Sequence, residues 1–193
     1  MSERDADVAK SGIEKAAIPH ERNGRDVTGF AAWRMLAPFG AQASKEIYES
    51  VRKRMPVALR DFPALAGETV NVGLLYENAD AKAQAYAYNR LICLPPDEPT
   101  TNITLWHELG HVAIRVRYED GEAVSKTSEE FCSIFSVARM PPVAIDEGRI
   151  PYLGEPSVDR EEWPDICQRA LEYRAENGVN SHYIQRCKEW LVV

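Results

Sequence analysis

The chain has 193 residues, a formal net charge of −7 at neutral pH and a hydrophobic fraction of 45%, ordinary for a soluble globular protein and enough for one good core. The acidic balance argues against broad attachment to nucleic acid, whose phosphates call for a basic patch. No apolar run approaches the roughly 20 residues of a membrane span and the charged N-terminal stretch lacks a signal-peptide apolar core, so a cytoplasmic protein without membrane or direct nucleic-acid contacts is expected.

Residues 1–27 are dense in charge, with only Ile13, Ala16, Ala17 and Ile18 as a weak helical face, and read as a mobile leader. A single domain over 28–193 is expected to follow. Phe30, Trp33, Leu36 and Phe39 recur every third residue, and Ile47, Val51 and Met55 every fourth after a Ser44 cap, which predicts two helices. Pro56, Pro63 and Gly67 should end the helical region. Three strands are predicted next: Thr69–Tyr76, Gln84–Tyr88 and the apolar Leu91–Leu94, closed by Pro95 and Pro96. The expected fold class is α+β, with a small three-stranded, mostly antiparallel sheet flanked by N- and C-terminal helices.

A polar loop then leads through a Thr101 or Asn102 cap into a helix that runs to about Arg117 and breaks at Glu119-Asp120-Gly121. Leu105, Leu109, Val112 and Ala113 supply the apolar stripe of a buried helix. Inside it stands His107-Glu108-Leu109-Gly110-His111, an H-E-x-x-H pattern. Histidines four apart share a helix face, with Cβ atoms about 5–6 Å apart, so both imidazoles can reach one zinc ion at about 2.0–2.1 Å. Glu108 points about 100° away from His107, which places its carboxylate beside the metal as a base for a water held there. The competing reading has two core histidines bonded to backbone carbonyls. Metzincins are disfavoured, because Ile114 and Arg117 stand where that pattern needs Gly and His.

Thr127-Ser128-Glu129-Glu130 fits a capping box with Thr127 as cap and Glu130 reaching back to it. Glu129 is then free to turn toward the metal, and Cys132, Ser133 and Ser136 form a small-residue track for close helix approach. A one-residue shift would make Glu130 the ligand instead, and a solvated acid favoured by the helix dipole is the other reading of Glu129. Two more helices are predicted, Trp163–Glu176 and Ser181–Val192, separated by Asn177-Gly178. His182 reads as a surface histidine, with donation to a reacting carbonyl oxygen as the alternative. Cys93, Cys132, Cys167 and Cys187 show no C-x-x-C pair and read as reduced packing residues.

The H-E-L-G-H run, preceded by a short strand and a polar loop and followed by Glu129-x-x-Cys132-Ser133-x-Phe135-Ser136 and Met140-Pro141-Pro142, resembles the ImmA/IrrE family of zinc metallopeptidases. Members typically show E-x-x-A-N-x-F-A after the histidines, so Cys132 and Ser133 depart from the usual Ala-Asn. The resemblance covers roughly Val70 to Pro142. It implies a zincin-like fold with the sheet packed on the His helix, zinc on His107 and His111, Glu129 as third ligand and Glu108 as general base. It also implies proteolysis of a protein partner, often a helix-turn-helix repressor. An extended substrate would add to a sheet edge, with Gln84–Tyr88 the expected strand. The alternative is a non-catalytic, metal-containing binding module, in which four protein ligands would close the site.

Overall fold

The computed structural model describes residues 13–22, 25–76, 82–121 and 128–192. Within the expected single domain the contacts gather into two compact units, residues 1–100 and 101–193, and each is described by itself. The class is α+β, with a five-stranded mixed sheet and six helices among the described residues.

The first unit holds the sheet. Strands β1 (Glu14–Arg22) and β2 (Arg25–Met35) pair antiparallel, with Glu14 opposite Trp33. Helices α1 (Ala37–Gln42) and α2 (Lys45–Arg60) then make the crossover to β3 (Thr69–Leu74), which lies parallel to β2. β4 (Gln84–Tyr86) returns antiparallel to β5 (Leu91–Leu94), which is parallel to β3, so the order is β1-β2-β3-β5-β4. The sheet is therefore larger than the predicted three strands and mixed rather than mostly antiparallel.

Two predicted elements change type. From Glu14 onward the expected leader is a strand; Ala16 and Ile18 are buried while Lys15 and Ala17 are exposed, the alternation of a one-sided sheet. Residues 1–12 lie outside the described residues. The helix expected around Phe30 and Trp33 is β2. Its burial has period two, with Ala31, Trp33 and Met35 inside and Phe30 and Arg34 outside. α2 follows its prediction: the Ser44 hydroxyl accepts from the Ile47 N–H, and Ile47, Val51 and Met55 are buried. It nevertheless continues through Pro56 to Arg60. A missing mid-helix N–H costs about 3 kcal/mol, offset by burying Met55 and Leu59 on either side at about 1.5–3 kcal/mol each. β4 is shorter than expected, giving way to a 3₁₀ turn at Ala87–Asn89, but it does lie at an edge of the sheet.

The second unit is helical. α3 (Asn102–Glu119) packs on α4 (Glu129–Val137), α4 packs on α5 (Trp163–Asn177) and α6 (Tyr183–Trp190), and α5 packs on α6. Leu105, Leu109, Val112 and Ala113 are all fully buried. α3 ends at Asp120 and Gly121, whose φ of +86° suits a residue without a Cβ. Its N-terminus is held from two directions. The Thr101 hydroxyl accepts from the Thr104 N–H at 3.3 Å, and the Asp146 carboxylate accepts from the Asn102 N–H at 2.7 Å and the Ile103 N–H at 3.3 Å. An anion there also suits the helix dipole. Among the described residues no helix is long and apolar enough to cross a membrane. All four cysteines are buried free thiols.

Candidate metal centre

His107 and Glu108 are only 4% and 7% exposed, in a helix that is otherwise apolar on nearly every side. Ionisable groups persist in such a place only with polar partners. α4 brings them. It runs close to α3 because the facing residues are small: a Cβ on Gly110 would overlap Ser136 Oγ and stand 3.1 Å from Cys132 Sγ. Cys132 and Ser136 thus form the close-approach track that their spacing predicts, while Ser133 faces His107.

The start of α4 differs by one residue from the expected capping box. The Ser128 hydroxyl, not Thr127, accepts from the Phe131 N–H at 3.1 Å, so Phe131 occupies the third helical position. Thr127 itself lies outside the described residues. Glu130, displaced from the box, acts on another face: with burial as the main cause, its charge helps hold the Tyr183 phenol above the usual tyrosine value. Glu129 is the first residue of α4, and its carboxylate meets the two imidazoles.

Three atoms converge. His107 Nε2 and His111 Nε2 each lie 3.0 Å from Glu129 Oε2 and 3.2 Å from one another. Neighbouring ligand atoms in a tetrahedral zinc site, at bond lengths of about 2.0–2.1 Å, stand about 3.3 Å apart. The match is close. Hydrogen bonding sharpens the case, because Ser133 Oγ is 2.5 Å from the Pro151 carbonyl oxygen and 3.0 Å from His107 Nδ1. A hydroxyl has one proton. It goes to the carbonyl, so the hydroxyl accepts from a protonated His107 Nδ1. In the neutral ring His107 Nε2 then carries only a lone pair, facing the lone pairs of Glu129. A metal ion held between them would satisfy both.

Charge states agree with ligation. Burial first, and then the charge of His107, push the His111 pKa below the usual histidine value. The hydrogen bond with His107 comes first among the causes that lower the Glu129 pKa to about 2. At neutral pH the site therefore offers a neutral His111 and an ionised Glu129, the forms that bind metal. It is also accessible: the Glu129 side chain is 48% exposed.

Cys132 is a second possible donor, since its Sγ and nitrogens of both histidines lie within 4.8 Å of one another and the three could hold a metal ion. A tetrahedral thiolate ligand needs a sulfur–nitrogen separation of about 3.6 Å and a deprotonated sulfur. Cys132 is fully buried; burial first, and the Glu108 charge second, push its pKa well above the usual thiol value. Its S–H donates instead to the His107 carbonyl at 3.1 Å. Glu129 is thus the better-placed third donor.

Glu108 lies one residue from His107, and its charge is felt by both Cys132 and Tyr152. His182 is exposed at the start of α6 and makes no side-chain cap bond. Two participants are not identified from spacing alone. Ser133 registers in sequence only as a small residue, although its hydroxyl sets the His107 tautomer. Tyr152 stacks on His107 with ring centroids 5.4 Å apart and planes at 26°. Its turn, Ile150-Pro151-Tyr152-Leu153-Gly154, closes through paired bonds between Ile150 and Gly154. Tyr152 has φ +61°, a left-handed conformation that costs a residue with a Cβ about 1–2 kcal/mol. The available signal was an aromatic residue between turn-forming Pro151 and Gly154.

No family model, curated protein or solved structure matches the chain.

Proposed function

We propose that the chain is a zinc-dependent peptidase of the ImmA/IrrE kind, with a zincin-like arrangement around α3, acting on a protein partner. The observation that carries this reading is the convergence of His107 Nε2, His111 Nε2 and Glu129 Oε2 at 3.0–3.2 Å, with Glu108 buried on the same helix. The two imidazoles and Glu129 would hold the ion. When bound, zinc supplies Lewis-acid polarisation of a water and of the peptide carbonyl. Glu108 takes one proton from the attacking water as its oxygen bonds to the carbonyl carbon. It returns that proton to the amide nitrogen as the carbon–nitrogen bond breaks, leaving an acid and an amine. A helix-turn-helix regulator is the partner class implied by the motif resemblance.

A non-catalytic module would be favoured if Cys132 closed the coordination shell, and its position near both histidines is the one observation on that side. Its protonated state and its bond to the His107 carbonyl weigh against it.

The test is Glu108→Gln, whose amide is nearly isosteric with the carboxylate but cannot take the proton. The variant should retain one zinc per chain and bind its partner while hydrolysis falls about 10²–10⁴-fold. Mass spectrometry of candidate regulators incubated with each zinc-loaded protein reads the outcome. A bound cognate partner left intact by wild type would overturn the peptidase reading.

A further inference from the structure

We propose that Tyr152 is a catalytic hydrogen-bond donor whose phenol O–H binds the carbonyl oxygen of the peptide bond under attack and steadies the charge that develops there. This deepens the peptidase reading and rests on it. Tyr152 lies over a metal-ligand candidate rather than in the core: its ring stacks on His107 at 5.4 Å, yet the residue is 60% exposed. Burial therefore gives little reason to keep a tyrosine at φ +61°, where glycine would be unstrained. Strain retained at an exposed aromatic residue beside convergent ligands is a mark of function.

The turn also has the rigidity that a preorganised donor needs. Ile150 N donates to the Gly154 carbonyl at 2.8 Å and Gly154 N returns a bond to the Ile150 carbonyl at 3.1 Å. Ser133, itself bonded to His107, holds the Pro151 carbonyl next to Tyr152. Its ring lies against that of His107, whose Nε2 is 3.0 Å from Glu129 Oε2 and whose chain neighbour is Glu108, so it stands on the side of the ligand acid and the candidate base. The simpler role, an aromatic cover for the His107 ring, would be filled equally well by phenylalanine.

Tyr152→Phe separates the two roles, because it keeps the ring and removes the O–H. Zinc-loaded wild type and variant are compared in three assays: zinc affinity by chelator competition, kcat and KM on a fluorogenic peptide library, and the dissociation constant of acetohydroxamate by calorimetry. The proposal expects zinc affinity and KM within about twofold of wild type. It expects kcat about 10²–10³-fold lower, the usual effect of losing one oxyanion donor. Acetohydroxamate, an oxyanion that needs no turnover, should bind about tenfold more weakly, as expected for one lost bond to a charged oxygen. Unchanged kcat and acetohydroxamate affinity would overturn the proposal, and a large loss of zinc affinity would make Tyr152 a structural support. Wild type that leaves a bound cognate partner intact, though loaded with zinc, would remove the peptidase reading. The acetohydroxamate comparison would then still decide: a tenfold loss supports Tyr152 as donor to a bound oxygen, and equal affinity rejects it.

Discussion

Ser133→Ala removes one oxygen and leaves two polar groups in want of a partner. Ser133 is 1% exposed, and its hydroxyl accepts from His107 Nδ1 at 3.0 Å while donating to the Pro151 carbonyl at 2.5 Å. A buried donor left unsatisfied costs about 1–3 kcal/mol. The His107 ring also loses the contact that selects the Nδ1–H tautomer, the form that presents the Nε2 lone pair to a metal. Loss of such an outer partner typically lowers metal affinity about 10–100-fold, which is about 1.4–2.7 kcal/mol and agrees with the hydrogen-bond figure. Chelator competition should show zinc bound within that range more weakly, with the far-ultraviolet circular dichroism of the helical fold retained. Ser133→Asn offers one acceptor and one donor in place of the hydroxyl, and should recover part of the loss. An alanine variant that holds zinc within twofold of wild type would refute the claim that this hydroxyl sets the tautomer.

Glu129→Gln should weaken zinc binding far more than Glu130→Gln, because Glu129 Oε2 is 3.0 Å from both imidazoles; equal losses in a chelator titration would refute the assignment. In the same vein, cobalt-substituted protein should lack a thiolate charge-transfer band, and its appearance would make Cys132 a ligand. His111 and Glu129 both titrate below their ordinary values of 6.5 and 4.5, so their contributions to metal-free stability are present above those values and lost as pH falls through the lowered ones. Urea midpoints should therefore begin to fall below pH about 6.5 and fall further below about 4.5, the second decline being flattened in Glu129→Gln; midpoints that rise between pH 7 and 5 would contradict the sign. Gly110→Ala should destabilise by about 1–3 kcal/mol through overpacking against Ser136 Oγ, less about 1 kcal/mol of gained helix propensity. Adding Ser136→Ala should restore most of the difference in denaturant unfolding.

The elements that were legible in the sequence are those whose signals are local. α3 reads directly because its cap, its apolar stripe and its closing Gly121 all fall within the helix or beside it. Ser44 announces α2, and the apolar run Leu91–Leu94 announces β5, for the same reason. β2 misleads because Phe30, Trp33 and Leu36 keep a helical interval by coincidence. Phe30 is 56% exposed and contributes nothing to a buried face, while the alternation that matters passes through small Ala31. β1 is harder still, since Ala16 and Ile18 are its buried apolar positions among the residues whose burial is described, in a segment dense in charge. The mixed sheet is beyond local reading altogether, since parallel pairing of Trp33 with Val70 and of Val72 with Ile92 is decided by crossover chains.

The site divides along the same line. Histidines four apart must share a face wherever the helix forms, so His107, Glu108 and His111 can be named without a structure. Glu129 follows from the start of α4, although the cap proves to be Ser128. Ser133 and Tyr152 are different, because a hydroxyl or a phenol acquires a role only from what tertiary packing brings to it. The relevant carbonyl, Pro151, lies 18 residues from Ser133, and Asp146 lies 44 residues from the Asn102 N–H it caps. These contacts fasten one segment at two points. Asp146 and Ala144 bind it to the first turn of α3, through the Asn102 and Ile103 N–H groups and the Asn102 side chain. Pro151 binds it to Ser133 beside His107. The same side chains that satisfy the first turn of the His helix and the Nδ1 of His107 thus place the Tyr152 turn, so support of the helix and shaping of the site are one set of bonds.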